Sequence, residues 1–198
     1  MMRRAPSPRS LRSRPLGVTL IEILVGLGII AILMGVAAPS MVDLLERRRV
    51  IAAADEVASL LTYAKAETNA INSQLHVRFD PDPNHSMSCA AVVTASGLPR
   101  CRCYYSLSAI CPSTSARPLR VFQLPLDHVR FSAQVTAWNG PANYIVFARD
   151  QLTVSATDFR VNVVGLRKGY ALRVEVNPAG RVKICSPNNN MSGYAVCA

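Results

Sequence analysis

The pattern of hydrophobic and polar positions divides the chain into three parts. Residues 1–17 show no apolar periodicity and include breakers such as Ser7-Pro8, so no folded element is expected there. Residues 18–38 form a continuous apolar run of 21 residues whose only charge is Glu22. As a helix this run would be about 31 Å long, enough to cross the hydrocarbon core of a membrane. We therefore expect a membrane segment or an export signal.

The helix is expected to continue beyond this run, from about Thr19 to about Asn72. Across residues 39–72 apolar positions recur at three- and four-residue steps, which is typical of an amphipathic helix. The apolar stripe consists of Val50, Ala54, Val57, Leu61 and Ala64, and the charges expected opposite it are Glu46, Arg47, Arg48, Asp55 and Lys65. Residues 18–38 would lie in a membrane or filament core, and residues 39–72 would pack on a globular head.

After residue 72 the period changes to two, which indicates β-strands. Eight short segments alternate or have β-branched runs between Pro, Gly and Asn residues, at 74–80, 89–95, 119–124, 129–135, 144–150, 159–164, 170–176 and 181–185. Eight strands without intervening helices predict an antiparallel, sandwich-like head over residues 73–198. The fold class is therefore α+β, a long N-terminal helix packed on a β-rich head.

Composition and charge indicate how the three parts of the chain are oriented across the membrane. Half of the 198 residues are apolar and the formal net charge is +10, which excludes a disordered or collagen-like chain. Five arginines without an acid precede the apolar run, so the positive-inside rule places residues 1–17 in the cytoplasm and everything after Ala38 on the other side of the membrane. The head itself has 13 basic and six acidic residues.

Six cysteines lie in the exported part, where disulfides form and persist. Cys101 and Cys103 would share one strand face, which favours separate partners at Cys89 and Cys111. A bridge between Cys185 and Cys197 would close the C-terminal tail on the last strand. Six cysteines allow 15 connectivities, so the pairing stays open at this point. A zinc site using His85 with these cysteines is a weaker alternative, because their spacing matches no paired Cys-x-x-Cys pattern.

A carboxylate near the start of a membrane span needs a partner that neutralises it, and the simplest partner is a new amino terminus created just upstream on a neighbouring subunit. The stretch from Gly17 to Glu22, GVTLIE, followed by the apolar run, resembles the signal of type IV prepilins and type II secretion pseudopilins. The alternative is an ordinary signal peptide that is cleaved at Ala38 and releases a soluble periplasmic protein.

The resemblance implies a processing and assembly pathway. A prepilin peptidase would remove residues 1–17 as a leader by cutting between Gly17 and Val18, and Val18 would become N-methylated. Glu22 would pair with a neighbour's amine during assembly, and Pro39 falls where pilins have a helix-kinking proline. The implied partners are other pilin or pseudopilin subunits, the peptidase and the inner membrane, with the head extracellular once it is assembled in a pilus.

No catalytic constellation, cofactor motif or metal motif is evident, so the chain is interpreted as a non-enzyme without a cofactor. The chemistry that the head offers is basic. Arg167 and Lys168 would lie in a turn, Arg181 and Lys183 would share one face of the last strand, and Arg173 lies between these pairs. Such cations can contact phosphate groups without recognising the base sequence. The alternative interpretation is that they only form a solvent-exposed strand face that keeps the protein soluble.

The C-terminal stretch Gly180-Arg181-Val182-Lys183 looks like the Gly-Arg-x-Arg motif of minor pilins of the FimT and GspH type. FimT-type members are implicated in DNA capture, so the resemblance implies a minor type IV pilin that binds double-stranded DNA non-specifically for uptake in natural transformation. The alternative is a structural minor pseudopilin of a type II secretion system, or a priming subunit of pilus assembly, without a ligand of its own.

Overall fold

The computed structural model describes residues 17–82, 87–94, 101–106, 109–111, 116–135, 143–148 and 158–198. It contains helix α1 (Leu20–Ala70) and eight strands. The strands are β1 (Leu75–Asp82), β2 (Met87–Thr94), β3 (Arg117–Pro125), β4 (Val129–Val135), β5 (Tyr144–Phe147), β6 (Phe159–Gly165), β7 (Ala171–Val176) and β8 (Val182–Cys185). The chain divides into two compact units, Met1–Met41 and Val42–Ala198, which are described separately.

The first unit, where it is described, is the beginning of α1 and the three residues before it. Thr19 precedes the helix, and its Oγ1 accepts a hydrogen bond from the Glu22 backbone N–H at 3.4 Å. This is the N-cap arrangement, in which a Thr side chain satisfies a backbone donor of the first turn. The apolar side chains of this unit are exposed, for example Leu20 at 77% and Ile32 at 69%. The Pro39 kink stays a prediction.

The second unit has two antiparallel four-stranded sheets. The first sheet has the order β3-β2-β1-β5, and the second has the order β4-β6-β7-β8. In the second sheet every neighbouring pair is antiparallel, with Ser132 opposite Asn162 and Asn162 opposite Arg173. Strand β8 lies at one edge of this sheet. The α+β fold class predicted from the sequence is confirmed, and each of the eight strand segments has its counterpart.

The core forms where the helix stripe meets the inner faces of both sheets. Val50, Ala54, Val57, Leu61 and Ala64, the stripe predicted from the helical period, are all fully buried. Aromatic rings join the sheets: Phe79 of β1 meets Phe131 of β4 edge-on, with ring centroids 6.2 Å apart. Burying each of these large side chains stabilises the fold by about 1.5–3 kcal/mol.

One charge expected on the outer face of the helix is in fact buried. The sequence pattern placed Glu46 with the solvent-facing charges, whereas the structure leaves it only 3% exposed. The helical period was correct, but the turn between β6 and β7 covers this position and supplies hydrogen-bond donors to it. A tertiary contact between residues more than 100 positions apart therefore overrides the local pattern.

Three disulfides staple the head. Cys89 is joined to Cys103, Cys101 to Cys111, and Cys185 to Cys197. The sequence had favoured separate partners for Cys101 and Cys103 and a Cys185–Cys197 bridge, but it had left open which of Cys89 and Cys111 pairs with which. Asp80 is also buried, and its Oδ2 accepts a hydrogen bond from the Cys103 backbone N–H at 3.3 Å. The cysteine-rich loop is therefore held to β1 by the Asp80 carboxylate and to β2 by the Cys89–Cys103 disulfide.

Candidate functional site

The first candidate region is the N-terminal signal and the apolar helix that follows it. Among the described residues, Leu20–Ala37 is long and apolar enough to cross a membrane, a criterion that a signal sequence near the N-terminus also meets. Gly17 and Val18 precede the helix, and residues 1–16 lie outside the described part of the chain. Glu22 is the only charged side chain between residues 17 and 41. Sequence reasoning missed the capping role of Thr19, although Thr-x-x-Glu before an apolar run is a known signature.

The second region is the turn between β6 and β7, which is held on the helix by a buried carboxylate. Glu46 Oε1 accepts hydrogen bonds from the backbone N–H groups of Arg167 at 3.0 Å and Lys168 at 2.9 Å. The Lys168 N–H also reaches Oε2 at 3.1 Å. Gly165 allows this close approach, because a Cβ at that position would collide with the Glu46 carboxylate.

Tyr170 completes this contact, which we call the helix-turn clamp and define as Asp43, Glu46 and Arg47 of α1 with residues 165–170. The Tyr170 hydroxyl donates to Asp43 Oδ1 at 2.7 Å and accepts from Arg47 Nη2 at 3.0 Å. The hydrogen bond with Tyr170 raises the pKa of Arg47 above its ordinary value. The backbone of the Arg167–Lys168 turn thus holds the head to the helix, while both side chains are exposed.

Arg181 and Lys183 lie at the opposite end of the same sheet. The chain turns between β7 and β8 at Asn177, whose Oδ1 accepts the Arg181 backbone N–H at 2.8 Å. Gly180 has a φ of 66°, which explains the glycine of the Gly-Arg motif by turn geometry alone. Because β7 has six residues, the two turns are separated by about 20 Å. The structure therefore does not bring the pair Arg167 and Lys168 together with Arg181 and Lys183.

The outer face of the second sheet is the larger basic feature. Lys183 stands opposite Glu175, and Glu175 stands opposite Arg160. Arg173 lies one row further along β7, where its Nε–H donates to Asn162 Oδ1 at 2.9 Å. Arg130 of β4 shares this face. Four cations thus stand on one sheet face, of which sequence reasoning had singled out only Arg173 and Lys183, because Arg130 and Arg160 belong to strands distant in sequence.

The C-terminal tail is fixed to this sheet. Asn190 Oδ1 accepts the Ala171 backbone N–H at 3.3 Å, and its Nδ2 donates to the Gly169 carbonyl at 3.1 Å. Tyr194 packs against the core, and burial raises the pKa of its hydroxyl, with a smaller contribution from Asp55. The C-terminal tail is therefore packed against the head and held there by these contacts.

Among the described residues, two groups have side chains of the types that bind metal ions. Asp80 lies close to Cys89 and Cys103, and Glu175 close to Cys185 and Cys197. Each cysteine pair forms a disulfide, so it offers no thiolate ligand. His85, the histidine of the zinc alternative, lies outside the described residues.

Residues 12–38 match the family model of the prokaryotic N-terminal methylation motif. The match covers 27 of the 198 residues and includes Gly17, Val18 and Glu22, the residues on which the resemblance to prepilin signals rests. Among solved structures the chain is similar to the type IV minor pilin FimU of Pseudomonas aeruginosa, with 14% sequence identity and a TM-score of 0.47. That similarity covers 70% of this chain and 90% of FimU. Among curated proteins, nothing matches the chain significantly.

Proposed function

We propose that this chain is a minor subunit of a type IV pilus or of its tip complex, anchored in the inner membrane by a single helix before assembly. The observation that carries the proposal is the methylation motif over residues 12–38, followed by a helix whose apolar side chains are exposed. An apolar surface of this size requires lipid or neighbouring helices around it. Before assembly the head lies in the periplasm, and in the pilus it is extracellular.

Glu22 gives the assembly mechanism its chemistry. A carboxylate in a membrane-spanning helix costs about 2.5–3.5 kcal/mol, and a nearby ammonium group offsets this cost. Cleavage between Gly17 and Val18 creates such a group, the N-methylated amine of Val18. Pairing of Glu22 with the Val18 amine of a neighbouring subunit would set the axial position of each new subunit.

The first experiment is intact mass measurement and N-terminal sequencing of the membrane-extracted protein. The expected result is an N-methylated valine start at Val18. A start near Pro39 would contradict the proposal, because it would mean an ordinary signal peptide and would remove Glu22 from the mature protein.

The second experiment tests whether assembly requires the negative charge of Glu22 or only a polar side chain at this position. Glu22→Gln keeps a polar side chain of the same length, and we expect normal membrane insertion and cleavage but poor recovery in sheared filaments. Glu22→Asp is the matched control, since it keeps the charge and should restore part of the incorporation. Filaments with a normal content of the Glu22→Gln subunit would refute the assembly role.

A DNA-binding role is the second part of the proposal, and the specific observation that favours it is the exposed pair Arg181 and Lys183 at an edge strand beside a basic sheet face. Phosphate contacts by such cations would give weak, salt-dependent binding of double-stranded DNA without sequence preference. In a pilus this binding would serve DNA uptake. Arg173 would contribute from the sheet face, whereas Arg167 and Lys168 would contact a different part of the duplex.

The matched pair of double variants tests this role. Arg181→Ala/Lys183→Ala and Arg167→Ala/Lys168→Ala remove the same charge from opposite ends of one sheet. We expect the first to weaken duplex binding and to reduce the salt slope by about 1.8, from two lost phosphate contacts. The second should reduce both by less, because Arg167 and Lys168 lie at the opposite end of the sheet from the main contact. Equal losses of duplex affinity in the two double variants would indicate that binding depends only on the net charge of the head. Absence of binding by the unmodified protein would favour a structural pseudopilin or a priming subunit.

A further inference from the structure

A cleft of about 460 Å³ opens on the outer face of the second sheet. Two arginines, Arg130 of β4 and Arg173 of β7, line it together with the polar side chains of Ser132, Asn162 and Asn188. Among the described residues that line the cleft there is no carboxylate. A concave site with two cations, several hydrogen-bonding groups and no lining acid is suited to an anion.

The strand register places the two arginines on the same face of the sheet, about two strands apart. Arg130 stands opposite Val164 and Val164 opposite Ala171, while Arg173 lies two residues further along β7. Two strand spacings and one two-residue step place the two Cα atoms about 12 Å apart on one face. Long side chains at this separation can approach one anion from both sides, above the small side chains of Val164 and Ala171.

Both guanidinium groups have donors available. Arg130 is exposed, and within the described part of the chain it makes no ion pair. The Nε–H of Arg173 is oriented by Asn162, whose own amide donates to Gln134 Oε1 at 3.1 Å. The Arg173 Nη1 forms an ion pair with Glu175 Oε1 at 3.8 Å, a distance longer than that of a hydrogen bond. Arg173 is thus positioned by its neighbours while its terminal nitrogens keep donors for a ligand.

The segment that bears Asn188 is fixed to the head by covalent and hydrogen-bond contacts. The Cys185–Cys197 disulfide closes the tail, and Asn190 binds the backbone at both Ala171 and Gly169. A wall that is already ordered loses little entropy when a ligand binds.

We propose that this cleft binds the phosphate group of a phosphorylated ligand, with Arg130 and Arg173 as the paired cations and Asn188 and Ser132 as further donors. The planar guanidinium group matches phosphate oxygens in a bidentate manner, and Arg130, which is without an ion pair in the described part of the chain, adds a positive charge to the cleft. The volume exceeds that of phosphate alone and leaves space for an attached sugar. Arg181 and Lys183 do not line the cleft, so phosphate binding there does not depend on the DNA-binding role proposed for these two residues, although Arg173 has a part in both proposals.

Isothermal titration of the full-length protein in a non-ionic detergent tests the inference with four probes: inorganic phosphate, adenosine 5′-monophosphate, adenosine and a 12-nucleotide single strand without a terminal phosphate. Binding of the monophosphate but not of adenosine is expected, and Arg130→Ala should weaken it at least about fivefold through the lost charge-assisted hydrogen bonds. Because Arg130 is exposed, this variant should fold normally. Arg130→Ala/Arg173→Ala should abolish binding, and Arg48→Ala, an exposed arginine on the helix, should not change it.

The probes also distinguish the source of the phosphate. Binding of the monophosphate alone indicates a free nucleotide-like ligand, and Arg130-dependent binding of the 12-nucleotide strand indicates a nucleic-acid backbone. Both results support the phosphate site. It is overturned if none of the phosphate-bearing probes binds in an Arg130-dependent manner. Arg181→Ala/Lys183→Ala should leave monophosphate binding unchanged. If Arg181 and Lys183 turn out not to bind DNA, the phosphate site in the cleft can therefore still be tested on its own.

Discussion

Removal of the Glu46 carboxylate is expected to loosen the head from the helix. In Glu46→Ala the backbone N–H groups of Arg167 and Lys168 lose their acceptor. Hydrogen bonds to a charged group contribute about 1.5–3 kcal/mol each, so two donors give a gross loss of about 3–6 kcal/mol. The turn borders solvent, and water can replace part of this, so we expect a net loss of about 2–4 kcal/mol.

Thermal unfolding of the full-length protein in detergent, followed by near-ultraviolet circular dichroism, measures this loss. For a chain of this size each kcal/mol corresponds to a shift of about 2–4 °C in Tm, so Glu46→Ala should lower Tm by roughly 5–15 °C. Glu46→Gln keeps one acceptor oxygen without the charge and should show about half of that shift.

Glu56→Ala is the matched control on the same helix. Glu56 pairs with Arg120 at 2.8 Å, but both side chains are more than a third exposed, and such pairs contribute about 0–1 kcal/mol. The reasoning would be refuted if Glu46→Ala destabilised the protein no more than Glu56→Ala, because a buried acceptor of two N–H groups could not then be the clamp that we describe.

Three further predictions follow from the same contacts. Gly165→Ala should lower the free energy of unfolding by about 1–3 kcal/mol in urea titrations, because its Cβ would displace Glu46 from the turn; an unchanged midpoint would contradict this. Replacing Cys185 and Cys197 by serine should cost about 2–4 kcal/mol by opening a short loop, measured as a fall in Tm. A reducing agent, which opens all three disulfides, should lower the Tm of the unmodified protein further, and an unchanged Tm in the serine variant would argue against the prediction. Burial raises the pKa of Tyr194 because the folded protein favours the neutral hydroxyl over the phenolate. The folded state is therefore fully stable with respect to this group below pH about 10, and it loses stability as the pH rises through the raised pKa. Tyr194→Phe should therefore flatten the alkaline loss of stability, and a parallel pH profile would contradict the assignment.

Much of the fold could be predicted from local patterns. The apolar run after Val18, the helical stripe centred on Val57 and the alternation in each strand depend on residues close together in sequence, and the period of the backbone relates them directly to one face of an element. The processing signal is of the same kind, since Gly17 and Glu22 lie within six consecutive residues.

The grouping of the basic residues required the tertiary structure. Arg167 and Lys168 are near Arg181 in sequence, yet two successive turns of an antiparallel sheet lie at opposite ends, which separates them by the length of β7. Conversely, Arg130 and Arg173 are far apart in sequence, and the pairing of three strands brings them to one cleft.

The sequence alone therefore determined the elements of this protein, its membrane-compatible helix and the position of the methylation motif. Only the tertiary structure decided that Glu46 is buried against a turn, that the basic pairs lie at opposite ends of a sheet, and that a cleft joins Arg130 to Arg173. The physical reason is that hydrophobic periodicity is a property of neighbouring residues, whereas the partner of a buried charge and the register of strands depend on contacts between distant ones.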